Sequence, residues 1–167
     1  LIRFSSFGQT TYDEVMEALD KLKARGMKKL IIDMQQNGGG LLGVAAEICS
    51  QFLPKGDTIV YTRGRNVPSQ VFVSNGGRGW QQGKVAVLID EYSASAAEIL
   101  TGAIQDQDRG IVVGRRSFGK GLVQRPLDLA DGSMIRLTVA RYYTPSGRCI
   151  QKPCTKGDEE DYAKDVI

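Results

Sequence analysis

Lys29-Leu30-Ile31-Ile32-Asp33-Met34 runs directly into Gln35-Gln36-Asn37-Gly38-Gly39-Gly40, and these two adjoining segments decide the fold. The first is a short, almost unbroken apolar run, the composition expected of a strand covered on both faces in a parallel sheet. The second is too rich in glycine to continue it and reads as the loop at the strand's end. Beyond the loop, Leu42, Ala45, Cys49 and Phe52 recur at helical spacing until Pro54, which predicts a helix from Leu41 to about Leu53.

The same alternation extends outward in both directions. Leu1 to Phe4 reads as a short strand, and Thr11 with Glu14 as a capping box opening a helix whose face carries Val15, Leu19 and Leu22 and which Gly26 stops. Thr58–Arg63 and Ser69–Ser74 read as strands, followed by a turn at Asn75-Gly76-Gly77. Lys84–Ile89 is a further buried strand. Tyr92-Ser93-Ala94-Ser95-Ala96-Ala97 then leads into a helix with Ile99, Leu100, Ala103 and Ile104 on its apolar side. Gly110–Gly114 is a short strand, and the sequence after Gly121 is extended through Tyr143 apart from a turn at Ala130-Asp131-Gly132. Strands alternating with helices imply an α/β fold with a partly parallel sheet and packed helices. The 167 residues suit one domain, 1–167, with a polar tail from about residue 155.

Composition narrows the chemistry. Hydrophobic residues make up 41% and charged residues 25%, ordinary values for a globular domain. The 22 basic residues are interspersed with 19 acidic ones and form no basic tract, so nucleic acid is not an expected partner. No apolar run reaches the roughly 18 residues of a membrane span. The chain starts without Met and without the features of a signal peptide, and is expected to be part of a longer protein. Cys149 and Cys154 are close enough to suggest a local disulfide, and the three cysteines form no metal set. The chain contains no histidine, which excludes a Ser-His-Asp triad, a Cys-His pair and an HExxH zinc site. A base must come from Lys, Asp, Glu, Tyr or a thiolate, and neither a metal nor an organic cofactor is called for.

Gly114-Arg115-Arg116-Ser117-Phe118-Gly119-Lys120 has the spacing of a phosphate-binding loop. Position 121 is glycine where that loop needs Ser or Thr for magnesium, and the sequence beyond reads as strand, not helix. Lys120 is then either a surface lysine or a base. An uncharged lysine can activate a serine, but a free lysine titrates near pH 10.4, so work at pH 7 to 8 needs a depression of roughly 3 units, which partial burial supplies. Gln124 lies four residues on, within expected reach of the Lys120 amine. Ser95 stands at a strand-to-helix junction, where main-chain amides can meet an oxyanion. Ser95-Ala96-Ala97-Glu98 is also a capping box, and Ser93 competes as nucleophile on local pattern.

Asp33–Leu42, Ser93–Ile99 and Ser117–Gln124 together resemble the three signature blocks of the carboxyl-terminal processing peptidases, or tail-specific proteases. Leu1–Phe7, Gly26-Met27 and Tyr142–Gly147 extend the likeness over nearly the whole chain. In that family the nucleophile is the second serine of the SASA block and the base is a lysine 25 residues downstream, positions held here by Ser95 and Lys120. The resemblance gives Gln124 the role of orienting the lysine, and Ala96 with Gly39 or Gly40 the oxyanion amides. It implies a ClpP/crotonase-like core, protein substrates with apolar C-terminal tails cleaved near their ends, compatibility with oligomers, and a bacterial periplasmic or envelope location. Asn37-Gly38 replaces the family's common Asn-Pro, and Gln35-Gln36 stands where an arginine or other charged residue is frequent. The family's tail-capturing PDZ domain has no counterpart within these residues and is expected elsewhere in the full-length protein. Two other readings of the same fold remain open: a binding module that cleaves nothing, and an acyl-coenzyme A enzyme.

Overall fold

The computed structural model describes residues 1–153. In chain order the elements are β1 (Ile2–Arg3), α1 (Thr11–Ala24), β2 (Lys29–Asp33), α2 (Leu42–Ser50), β3 (Thr58–Arg63), β4 (Gln70–Val73), β5 (Lys84–Ile89), α3 (Ala96–Asp106), β6 (Ile111–Gly114), β7 (Leu122–Asp128) and β8 (Met134–Tyr143). They form two four-stranded sheets. The first, in the order β1-β2-β5-β6, is parallel throughout, and the second, β4-β3-β8-β7, is antiparallel.

Alternation in β2 and β5 sends Leu30, Ile32, Val85, Val87 and Ile89 to one side of the parallel sheet, where all are buried. Leu19, Ile48, Leu100 and Ile104 meet them from the three helices, and Phe52 from the turn after α2. Helix α3 is buried continuously from Ala96 to Ile104 and packs against α2, β3 and β6, so it lies in the core rather than over it. Full burial of each large aliphatic side chain contributes about 1.5–3 kcal/mol, which makes α3 the element around which the two sheets assemble.

Three local expectations need correction. Among the described residues the strand Lys29–Asp33 is covered mainly on one face: Ile31 is 40% exposed, whereas Leu30 and Ile32 on the helix side are buried. Thr11 does not cap α1. Its hydroxyl turns inward, donating to Ser6 O at 3.1 Å and accepting from Gly8 N–H at 3.0 Å, while Thr10 takes the N-cap position without a side-chain cap. Helix α2 ends at Ser50, short of Leu53, because the chain tightens there: Gln51 and Phe52 N–H donate to the carbonyls three residues back, Ile48 O and Cys49 O, and the Ser50 carbonyl, which Pro54 cannot serve, accepts Gly77 N–H. The suggested Cys149–Cys154 bridge and the polar tail from 155 fall outside the described residues.

Beyond Lys120 the chain enters a strand, as expected, and β7 and β8 form a hairpin turned at Gly132, whose φ is +83°. Lys120 and Gly121 thus join the core to the antiparallel sheet.

Candidate active site

Ser95 occupies the step between β5 and α3 with φ 58° and ψ −115°. A left-handed φ at a residue with a side chain costs on the order of 1–3 kcal/mol, so the surroundings must impose it. Three hydrogen bonds do so. Ala94 N–H donates to Asn37 O at 2.9 Å, Ser95 N–H to Glu98 Oε2 at 2.8 Å, and Ala97 N–H to Ala94 O at 3.1 Å. The capping box suggested by the sequence forms: the Glu98 N–H faces the Ser95 side chain, and the Glu98 carboxylate accepts the Ser95 N–H at 2.8 Å, the firmer of the two contacts. The Ser95 hydroxyl is half-buried and sits at the N-terminus of α3.

Glu98 does far more than cap. It is 1% exposed, and its two carboxyl oxygens accept four bonds. Oε1 receives Ser117 Oγ–H at 2.7 Å and Gly119 N–H at 2.6 Å, while Oε2 receives Ser95 N–H and, at 2.9 Å, Lys120 N–H. One side chain therefore holds the main chain of Ser95 and of Lys120 on the same oxygen atom. A second tie, Phe118 N–H to Ser93 O at 3.0 Å, fastens the same two segments. Sequence reading missed this role. The available signal was a carboxyl group set among Ala96, Ala97, Ile99 and Leu100, where a solvated cap has no reason to be buried.

The glycine loop is fixed from beneath by two side chains. Asn37, fully buried, donates through Nδ2 to Phe4 O at 2.9 Å and accepts Gly39 N–H on Oδ1 at 2.9 Å. Asp90 accepts the amides of Gln36, Tyr92 and Ser93 at 3.0–3.1 Å, joining the loop to the serine turn. Burial pushes the Asp90 carboxyl up, but the donors from Gln36, Tyr92 and Ser93 outweigh it and hold the group below the usual carboxylate range. Ser93 is 1% exposed and its hydroxyl is fully engaged, donating to Met34 O at 2.8 Å and accepting Asp90 N–H at 3.0 Å. Of the two serines, only Ser95 has a hydroxyl whose proton is committed to no acceptor among the described residues.

The loop lies directly against that serine. A Cβ placed on Gly39 would come within 2.7 Å of Ser95 Cβ and 2.9 Å of Ala96 N. The Gly39 N–H is already used by Asn37, whereas the amides of Gly40 and Ala96 donate no hydrogen bond among the described residues. Two unspent amides flanking a hydroxyl at a helix N-terminus can stabilise negative charge developing on a carbonyl oxygen.

Lys120 and Gln124 meet the sequence expectation in part. Their segment is brought to Ser95 by Glu98, but both side chains are exposed, and no hydrogen bond joins Ser95, Lys120 and Gln124 side chains among the described residues. The partial burial expected of the lysine, and its contact with the Gln124 amide, are absent among the described residues: Leu122 and Val123 at the start of β7 are half-buried, whereas Lys120 and Gln124 are exposed. No group of three or more Asp, Glu or Cys side chains suited to a metal occurs among the described residues.

Comparison with known proteins supplies the context. Residues 1–162 match the sequence model of Peptidase family S41. The chain is 42% identical over 158 residues to the carboxyl-terminal-processing protease of Synechocystis, covering 95% of this chain and 36% of that protein. It is 35% identical over 167 residues to the carboxy-terminal processing protease CtpA of Bacillus subtilis, covering 98% and 36%. Its backbone superposes on the solved photosystem II D1 C-terminal processing protease with a TM-score of 0.82 at 33% identity, covering 89% of this chain and 38% of the other. The chain thus spans little more than a third of these relatives.

Proposed function

Because this chain belongs to peptidase family S41, we propose that it is the catalytic core of a serine endopeptidase that cleaves protein substrates near their C-termini through Ser95 and Lys120. The observation that carries the reading is the shared hold of Glu98 Oε2 on the amides of Ser95, at 2.8 Å, and Lys120, at 2.9 Å. It keeps the bases of the two side chains together although they are distant in sequence.

In the proposed reaction Ser95 Oγ attacks the scissile carbonyl as its proton passes to the neutral Lys120 amine. The carbonyl oxygen takes up the electron pair and is met by the N–H groups of Ala96 and Gly40, since Gly39 N–H is engaged with Asn37. Collapse expels the amine, which takes the proton back from Lys120, and leaves an acyl ester on Ser95. Water, deprotonated by the same lysine, then hydrolyses the ester. Gln124 orients the amine during both transfers.

A lysine becomes a useful base only after its ammonium is stripped of water. Lys120 is exposed here, so the reading has the substrate chain, or a neighbouring part of the full-length protein, close over it before reaction. A PDZ domain that delivers apolar C-terminal tails fits this requirement, and it is part of the proposal together with a bacterial periplasmic or envelope location.

The test is cleavage of an unfolded protein with an apolar tail by the full-length protein and its Ser95→Ala, Lys120→Ala and Gln124→Ala variants. The first two substitutions should abolish cleavage and the third should slow it. Cleavage by Ser95→Ala or Lys120→Ala at the wild-type rate would reject the dyad.

A further inference from the structure

Lys120 stands between Gly119 and Gly121, and the segment that follows β8 packs on both glycines. A Cβ on Gly119, whose φ is +86°, would lie 2.3 Å from Lys152 Cγ, and one on Gly121 would lie 2.4 Å from Gln151 N. Glycine at both positions is what lets this second segment reach the main chain around the lysine. Hydrogen bonds then join the two. Lys152 N–H donates to Gly119 O at 3.1 Å and Gly121 N–H to Gln151 Oε1 at 3.0 Å, while Gln151 Nε2 donates to Lys152 O at 3.2 Å.

The segment is itself anchored to α3. Ile150 is 0% exposed, belongs to the core and donates its N–H to Tyr142 O at 3.1 Å. The turn before it is fastened to the far end of α3, where Asp106 accepts Ser146 N–H at 2.9 Å and pairs with Arg148. The helix whose start carries Ser95 therefore also fixes, at its other end, the segment packed on Gly119 and Gly121.

We infer that Gln151 is a positioning residue for the Lys120 base, a role that rests on reading Ser95 and Lys120 as nucleophile and base. Two planar peptide groups flank the Lys120 Cα, and their orientations set where its Cβ points. The first, Gly119–Lys120, is held at both ends, by Lys152 N–H on its carbonyl and by Glu98 Oε2 on its amide. The second, Lys120–Gly121, is held through its N–H by Gln151 Oε1. Glu98 and Gln151 thus divide the task, one plane each, and together fix the direction in which the lysine side chain leaves the main chain.

The test measures kcat and KM of the full-length protein on an unfolded protein with an apolar tail. Gln151→Met keeps the bulk and removes the acceptor, and Gln151→Asn is one methylene too short to reach Gly121. In both, kcat should fall about ten-fold or more with KM within about two-fold of wild type, because the base acts in the transition state and not in binding. Gln151→Glu keeps an oxygen for Gly121 N–H and should recover at least about three-fold of that loss. Ser74→Ala removes a buried hydroxyl bonded to Leu53 O and Gly76 N–H; it should lower stability in urea and leave kcat within about two-fold. The same unfolding curves confirm that each variant is folded. A smaller kcat loss in Gln151→Met and Gln151→Asn with Lys120→Ala inactive, a loss expressed mainly in KM, or no recovery in Gln151→Glu would overturn the proposal and leave the dyad standing. So would an equal kcat loss in Ser74→Ala, since general loosening would then explain it. Cleavage by Lys120→Ala at the wild-type rate would overturn the proposal and the dyad together.

Discussion

Glu98→Gln separates the two roles this residue could have. A capping glutamate contributes about 1 kcal/mol, and glutamine performs that duty nearly as well. In the structure, however, four donors converge on the carboxyl group. A glutamine amide offers one oxygen, enough for two of them, and turns an NH₂ toward the other two. Each buried donor left without an acceptor costs about 1–3 kcal/mol, so the substitution should destabilise the protein by roughly 2–6 kcal/mol. Against a typical domain stability of about 5–15 kcal/mol, most of the population stays folded. The activity loss should be larger than the stability loss suggests. The amides of Ser95 and Lys120 lose their common anchor, and a misplacement near 1 Å costs on the order of 100-fold in rate. Urea unfolding measures the first effect and cleavage of an unfolded protein the second, with exposed Glu47→Gln on α2 as control. A Glu98→Gln protein within about 1 kcal/mol of wild type, cleaving at half its rate or better, would refute the argument that Glu98 joins the two segments.

Other consequences follow from the same geometry. Gly39→Ala should remove activity and destabilise by about 1–3 kcal/mol, because φ is +95° and the new Cβ would lie 2.6 Å from Ala94 O. Gly43→Ala on α2 meets nothing within 4 Å and should stabilise by about 0.5–1 kcal/mol in the same unfolding assay. Ser93→Ala should cost about 1–3 kcal/mol by orphaning the buried Asp90 N–H, while Met34 O keeps the Asn37 N–H, whereas Ser95→Ala should cost little stability and all the activity. Asp90 is held below its ordinary value of 3.8, so its stabilisation is complete above that pH and lost as pH falls through and below it. In acid unfolding, Asp90→Asn should therefore be less stable than wild type at pH 6, with the difference shrinking below about pH 4.

Much of the molecule could be read locally. The apolar run Lys29–Asp33, the periodic helix after the glycine loop, the turn at Gly132 and the strand that follows Lys120 all depend on near neighbours in sequence, and each formed close to its expected place. What failed depended on partners far away. Thr11 left its capping position because Ser6 O and Gly8 N–H offered its hydroxyl partners, and α2 stopped early as its last turn tightened and the Ser50 carbonyl, beyond the reach of any N–H on Pro54, took its donor from distant Gly77.

The sequence by itself determined the chemistry available: without histidine the base had to be another residue, and the pattern around Ser95 and Lys120 nominated both side chains. The family resemblance chose Ser95 over Ser93, and the tertiary structure supplied a physical reason, burying the Ser93 hydroxyl between Met34 and Asp90 while the Ser95 hydroxyl stands half-buried at a helix start. The tertiary structure alone revealed Glu98 as the tie between Ser95 and Lys120, 25 residues apart, and it left Lys120 exposed where a lysine base needs cover. The reason is physical. Spacing specifies which side chains a turn or helix presents, whereas burial and shared acceptors depend on which distant segments the packed core brings together.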